Sequence, residues 1–66
     1  MTLDDFLKTR MLSVFNCISI YLNGETVLSG VDVYTITMNS KYDIYKSYVV
    51  ITAQENYSEL LIYLSF

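Results

Sequence analysis

Residues 17–29 constrain the fold most: Ile18, Ile20 and Leu22 alternate with Cys17, Ser19 and Tyr21, and the alternation runs into Asn23-Gly24. A period of two is that of a strand with one face buried. Asn-Gly suits the positive φ angles of a two-residue type I′ turn, so residues 26–29 are predicted to return antiparallel to the first strand. In that register Leu22 faces Glu25 and Ile20 faces Val27, and Ile18, Ile20, Leu22 and Val27 share the core face. Leu28 then falls on the opposite face, beside Ser19 and Tyr21.

A lone hairpin is marginal in water and needs further strands or a helix against it. Thr2 with Asp5 three residues on resembles a capping box, with Asp in place of the usual Glu, and Asp4 and Asp5 suit the positive end of a helix. The spacing of Leu3, Phe6, Leu7 and Met11 predicts one apolar stripe on a short helix ending near Leu12, with Lys8 and Arg10 at its rim. Gly30 reads as a bulge or corner, and residues 31–38, rich in β-branched and aromatic side chains, as a third strand. Residues 39–41 read as a turn, and residues 42–47 as either a helical turn or an irregular connection. The last two strands, residues 48–53 and 59–65, are expected to pair as a hairpin across the polar stretch 54–58. The predicted architecture is α+β, a short N-terminal helix packed on an antiparallel sheet of four to five strands, in a single domain over residues 1–66.

Domains of 66 residues lie near the lower end of what folds without staples, and one cysteine with no histidine leaves no internal disulfide and no ordinary zinc site. The chain is 53% hydrophobic and only 17% charged, and in the last strand Leu60, Ile62, Leu64 and Phe66 alternate with Leu61, Tyr63 and Ser65. Apolar surface is therefore expected to remain after one short helix has been laid down, which predicts association, most simply a homodimer. With no proline to guard an edge strand, edge pairing between subunits is a second route to the same end. No run approaches the roughly 18 apolar residues of a spanning helix, and the acidic start is unlike a secretory signal, so no membrane association and a cytoplasmic location are expected. A formal charge of −3 weighs against broad attachment to phosphates or anionic lipid.

Catalytic constellations are sparse. Cys17 has no histidine to activate it and reads as a small strand residue. Asp4 and Asp5 are adjacent and read as helix-start residues, while Glu55 and Glu59 read as solvated charges flanking a loop. Asn56-Tyr57-Ser58 fits a glycosylation acceptor but reads as a turn in a chain without a signal, and Gly24 and Gly30 belong to no phosphate-binding loop. No enzyme activity, cofactor or metal is expected. The seven tyrosines are the chemical signal that remains, since tyrosine brings large, stiff contact area with a polar tip to protein interfaces. Tyr34, Tyr42, Asp43, Tyr45, Tyr48 and Tyr63 are the candidate partner-binding residues. The alternative is a small nucleic-acid module in residues 41–48, where Tyr42, Tyr45 and Tyr48 would stack on bases and Lys41 and Lys46 would meet phosphates. Two cations are few for a backbone track.

The Met1-Thr2-Leu3 start with its acidic residues and Phe6-Leu7, the Ile-rich strand entering a tight turn, and the hairpin carrying Val49-Val50-Ile51 and Leu60-Leu61-Ile62-Tyr63 together form a layout. It resembles short proteins carried by phages, prophages and mobile elements of Gram-positive bacteria. Small, acidic, tyrosine-rich proteins of that origin include anti-CRISPR inhibitors, so the resemblance implies a non-catalytic protein that blocks a nuclease effector complex in the cytoplasm of a bacterial host.

Overall fold

The computed structural model describes residues 1–9 and 14–66. Helix α1 (Leu3–Lys8) is followed by strands β1 (Cys17–Leu22) and β2 (Glu25–Asp32), a 3-10 turn (Ile36–Met38), helix α2 (Ser40–Tyr45), and strands β3 (Val49–Asn56) and β4 (Glu59–Ser65). The class is α+β, with four strands in the order β2-β1-β4-β3. The two hairpins are antiparallel, but β1 and β4 at the centre run parallel, so the sheet is mixed and not antiparallel throughout. Residues 33–48 return along the helix side and deliver β3 to the far edge, as strands that do not follow one another directly require. The parallel register is pinned at its start, where the Asn16 amide donates to the Ser58 carbonyl at 2.6 Å and Asn16 Nδ2 to Ser58 Oγ at 3.1 Å. Cys17 and Glu59 follow those two residues and face each other.

Helix α1 starts as its sequence requires. Thr2 Oγ1 accepts from the Asp5 amide at 3.2 Å, Asp4 and Asp5 fill the first turn, and Lys8 closes the last one with a 2.8 Å ion pair to Asp4. It ends at Lys8, sooner than the predicted end near Leu12, and the Thr9 hydroxyl donates to the Phe6 carbonyl at that end. The expected helical positions Arg10, Met11 and Leu12 lie outside the described residues.

The Asn23-Gly24 turn forms with φ of 50° and 86°. Leu22 pairs with Glu25 as predicted, but an irregularity follows at once: Tyr21 pairs with Thr26 and Ile20 with Leu28. The extra residue, Val27, turns Leu28 onto the buried face, contrary to the prediction that strands it on the other, while Val27 itself stays half-buried against the core. A second bulge around Gly30, whose φ is +60°, brings Val31 opposite Ile18.

The predicted third strand over 31–38 does not form. Val31 and Asp32 continue β2, and Asp32 then ends it: Oδ1 accepts from the Tyr34 amide at 2.7 Å and its carbonyl from the Thr35 amide at 3.1 Å. Asn39 caps α2 through Oδ1 and the Lys41 amide at 2.9 Å, which makes residues 40–45 helix, the helical alternative left open for 42–47. Residues 54–56, expected in a loop, extend β3, leaving Tyr57-Ser58 as the turn.

These departures close the core. Leu3, Phe6 and Leu7 of α1 and Val33, Ile36 and Tyr42 from the connection pack over Ile18, Ile20, Leu28, Leu60, Ile62 and Leu64 in one cluster. The accessible surface is 4085 Å², against about 4300 Å² for a folded monomer of this mass. The helix side of the sheet is thus covered within one copy, by α1 together with Val33, Ile36 and Tyr42 of residues 33–45.

Candidate functional site

The other face of the sheet has no helix over it among the described residues, and register places its side chains in rows. One row reads Asp32, Cys17, Glu59, Asn56 across β2, β1, β4 and β3. Two residues along, Ser19, Leu61 and Gln54 stand side by side. Two further on come Thr26, Tyr21, Tyr63 and Thr52, with the Tyr21 and Tyr63 rings stacked at 5.0 Å and 15°. The face is thus carboxylate-bearing at one end and aromatic at the other, separated by four residues of strand, about 13 Å. The turn beyond the carboxylate row carries Tyr57, wholly exposed with φ of 59°.

Ser19 holds this face together. It is 2% exposed, its hydroxyl donates to Glu59 Oε2 at 2.6 Å, and it accepts from the Gly30 amide at 2.9 Å. The bulge in β2 is thereby tied to β4 across β1. Cys17 lies in the first row between two carboxylates; burial first, then Glu59 and Asp32, push its thiol above the usual range, so it stays protonated at neutral pH. Among the described residues no cavity opens and no cluster of metal ligands gathers.

Charge divides with the architecture. The strands contain four carboxylates, Glu25, Asp32, Glu55 and Glu59, and no lysine or arginine, although the whole chain has four cations and a net charge of −3. Lys8, Lys41 and Lys46 belong to the helices and their ends, where Lys8 pairs with Asp4 and Lys46 with Asp43 at 3.5 Å. The sheet alone is more anionic than the protein.

The six residues predicted to meet a partner do not form one surface. Tyr42 is 3% exposed and belongs to the core, which withdraws it from a partner or a base. Its hydroxyl donates to Asp4 Oδ1 at 2.5 Å. Tyr45 and Tyr48 are half-buried against the core, edge to face at 5.5 Å, and Tyr48 leans on Phe66 at 5.5 Å. Asp43 is exposed in its ion pair, and Tyr34 is exposed in the turn after β2. Only Tyr63 stands on the open face, beside Tyr21 and Leu61, which carry no binding signal of their own in the sequence, and near Glu59 and Tyr57, which read there as a solvated charge and a turn residue. The alternation of Tyr21 and Tyr63 with core residues is visible in the sequence, but their meeting depends on the parallel register.

The Tyr42–Asp4 contact makes stability pH-dependent. Burial, and then Asp4, raise the Tyr42 hydroxyl above its usual value near 10, so the unfolded chain ionises first and the stabilisation, full below pH 10, is lost as pH rises above it. Bonds from Lys8 and Tyr42 hold Asp4 below the usual carboxylate range, a contribution present above that range and lost in acid. Tyr42→Phe is expected to flatten the alkaline fall in the urea midpoint above about pH 10; an unchanged alkaline fall would contradict the assignment.

No family model, curated protein or solved structure matches the chain. Among the described residues no helix is long and apolar enough to cross a membrane.

Proposed function

We propose that this protein is a non-catalytic binding protein that acts by covering a surface of a larger protein with the open face of its sheet. The observation that carries the reading is the Tyr21–Tyr63 stack with Leu61 beside it, half-exposed on the two central strands and uncovered by any described element. Stacked aromatic rings on a rigid scaffold give contact area at little entropic cost, which is the composition of interface centres. The most concrete form of this function is an anti-CRISPR inhibitor that blocks a nuclease effector complex in a bacterial cell. The burial of Tyr42 and the packing of Tyr45 and Tyr48 take the nucleic-acid alternative in residues 41–48 out of favour.

Self-association belongs to the start of β3, the end of the sheet farthest from the carboxylate row, where Val49 opposite Ser65 borders the tyrosine stack. Two copies meeting across the open face would oppose like charges, whereas the start of β3 exposes Val49 and Ile51, with Met1 bonded to Val50 and Phe66 against Tyr48. The homodimer is therefore assigned to the exposed side chains of Met1, Val49, Ile51 and Phe66 there and not to edge pairing, because Thr2 already bridges to Val49 and the Met1 carbonyl accepts from the Val50 amide. Sedimentation is expected to show a concentration-dependent dimer that Ile51→Lys abolishes; a monomer at every concentration would end this assignment.

The function is tested by retention and inhibition of a panel of purified CRISPR effectors. Wild-type protein is expected to hold and inhibit at least one of them, with at least tenfold weaker binding for Leu61→Lys and no change for Ser40→Lys on the helix side. Failure against every effector removes the anti-CRISPR form, and retention that Leu61→Lys leaves intact removes the open face.

A further inference from the structure

We infer that the occupant of the open face is an extended, arginine- or lysine-bearing segment of a partner protein; this rests on reading that face as the contact surface. Charge complementarity selects the class. The charged side chains of the open face are Asp32 and Glu59, which flank Cys17 in one row, while Glu25 and Glu55 oppose Leu22 and Leu60 on the other face and no strand carries a lysine or arginine. A second copy of the same face, a nucleic-acid backbone and an anionic lipid surface all bring negative charge to negative charge.

The layout also fits the shape of such a segment. Running along β1 and β4, an extended chain repeats its side chains at the strand period, so cations four residues apart span the roughly 13 Å between the carboxylate row and the tyrosine stack. One guanidinium then meets Glu59 and Asp32, where Glu59 has a second carboxylate oxygen besides the one bonded to Ser19. The other lies on the Tyr21–Tyr63 pair, whose rings attract cations. Tyr57 is wholly exposed in the turn beyond that row, where its ring can lie on a cation held there.

The test is an NMR titration of isotope-labelled protein with a synthetic threonine-rich peptide carrying two arginines four residues apart. Saturable shifts at Tyr21, Asp32, Glu59 and Tyr63 are expected, with binding at least tenfold weaker when citrulline replaces both arginines and weaker again as salt is raised. The double variant Asp32→Asn with Glu59→Gln keeps the acceptors that the fold uses and is expected to lose at least fivefold in affinity. Tyr57→Gly is expected to weaken peptide binding while raising the thermal midpoint, which separates lost contact from lost folding. Equal binding of the arginine and citrulline peptides, shifts confined to α1 and α2, or no binding at millimolar peptide would overturn the inference. Should Leu61→Lys abolish retention of an effector that the arginine peptide fails to displace, the inference falls and the open-face reading stands; should Leu61→Lys have no effect, that reading falls first.

Discussion

Ile20→Ala is expected to leave the protein largely unfolded near physiological temperature. Ile20 has no exposed surface and lies on central strand β1, between Leu28 of β2 and Ile62 of β4. Truncating a fully buried isoleucine to alanine typically costs about 2–5 kcal/mol, because the cavity left behind is only partly refilled. A chain of this length has a total stability of roughly 3–10 kcal/mol, so the loss consumes a large part of it. Urea unfolding followed by circular dichroism reads the effect, with exposed Thr52→Ala expected to move by no more than about 0.5 kcal/mol. A loss under about 1 kcal/mol for Ile20→Ala would mean that the core is not organised around the parallel centre of the sheet.

The second large effect is expected at Ser19. Removing its hydroxyl by Ser19→Ala takes the acceptor from the Gly30 amide and the donor from Glu59 at a side chain that is itself 2% exposed. Groups orphaned in this way cost about 1–3 kcal/mol, more than the net value of the bonds themselves. Glu59→Gln offers a contrast, because the amide oxygen can still accept from Ser19 and only the charge is lost. The expected order of urea midpoints is wild type, then Glu59→Gln, then Ser19→Ala well below both. A Ser19→Ala midpoint equal to that of the wild type would show that the bulge in β2 needs no tether to β4.

Local signals were legible and long-range ones were not. Thr2 with Asp5 marked the start of α1, Asn23-Gly24 marked its turn with both positive φ angles, and the alternation of Leu60, Ile62 and Leu64 marked the buried face of β4. Each is settled by a few neighbouring residues. Residues 33–38 misled because Val, Tyr, Thr and Ile favour strands, yet the turn made by Asp32 and the cap made by Asn39 decide the backbone there. Those two polar residues are the punctuation that sets the second cover over the core. The parallel pairing of β1 with β4 is written in no local motif, since it joins residues about forty apart through the Asn16–Ser58 contact. The candidate site inherits that difficulty. Tyr63 is a candidate from the sequence, but Tyr21 gains meaning only when the register stacks it on Tyr63, and Tyr42 loses its candidacy only when α2 turns it into the core. The segregation of charge was within reach, because it needs only strand boundaries and a count of carboxylates between them.

Which side of the molecule meets its partner is read most directly by photo-crosslinking in living bacteria equipped with CRISPR effectors. A photoreactive amino acid at Thr26 or Thr52 flanks the tyrosine stack on the open face, and one at Ser40 or Lys41 probes α2. A crosslinked protein partner is expected from the first pair and none from the second. Crosslinks from the α2 positions alone would contradict the open-face reading.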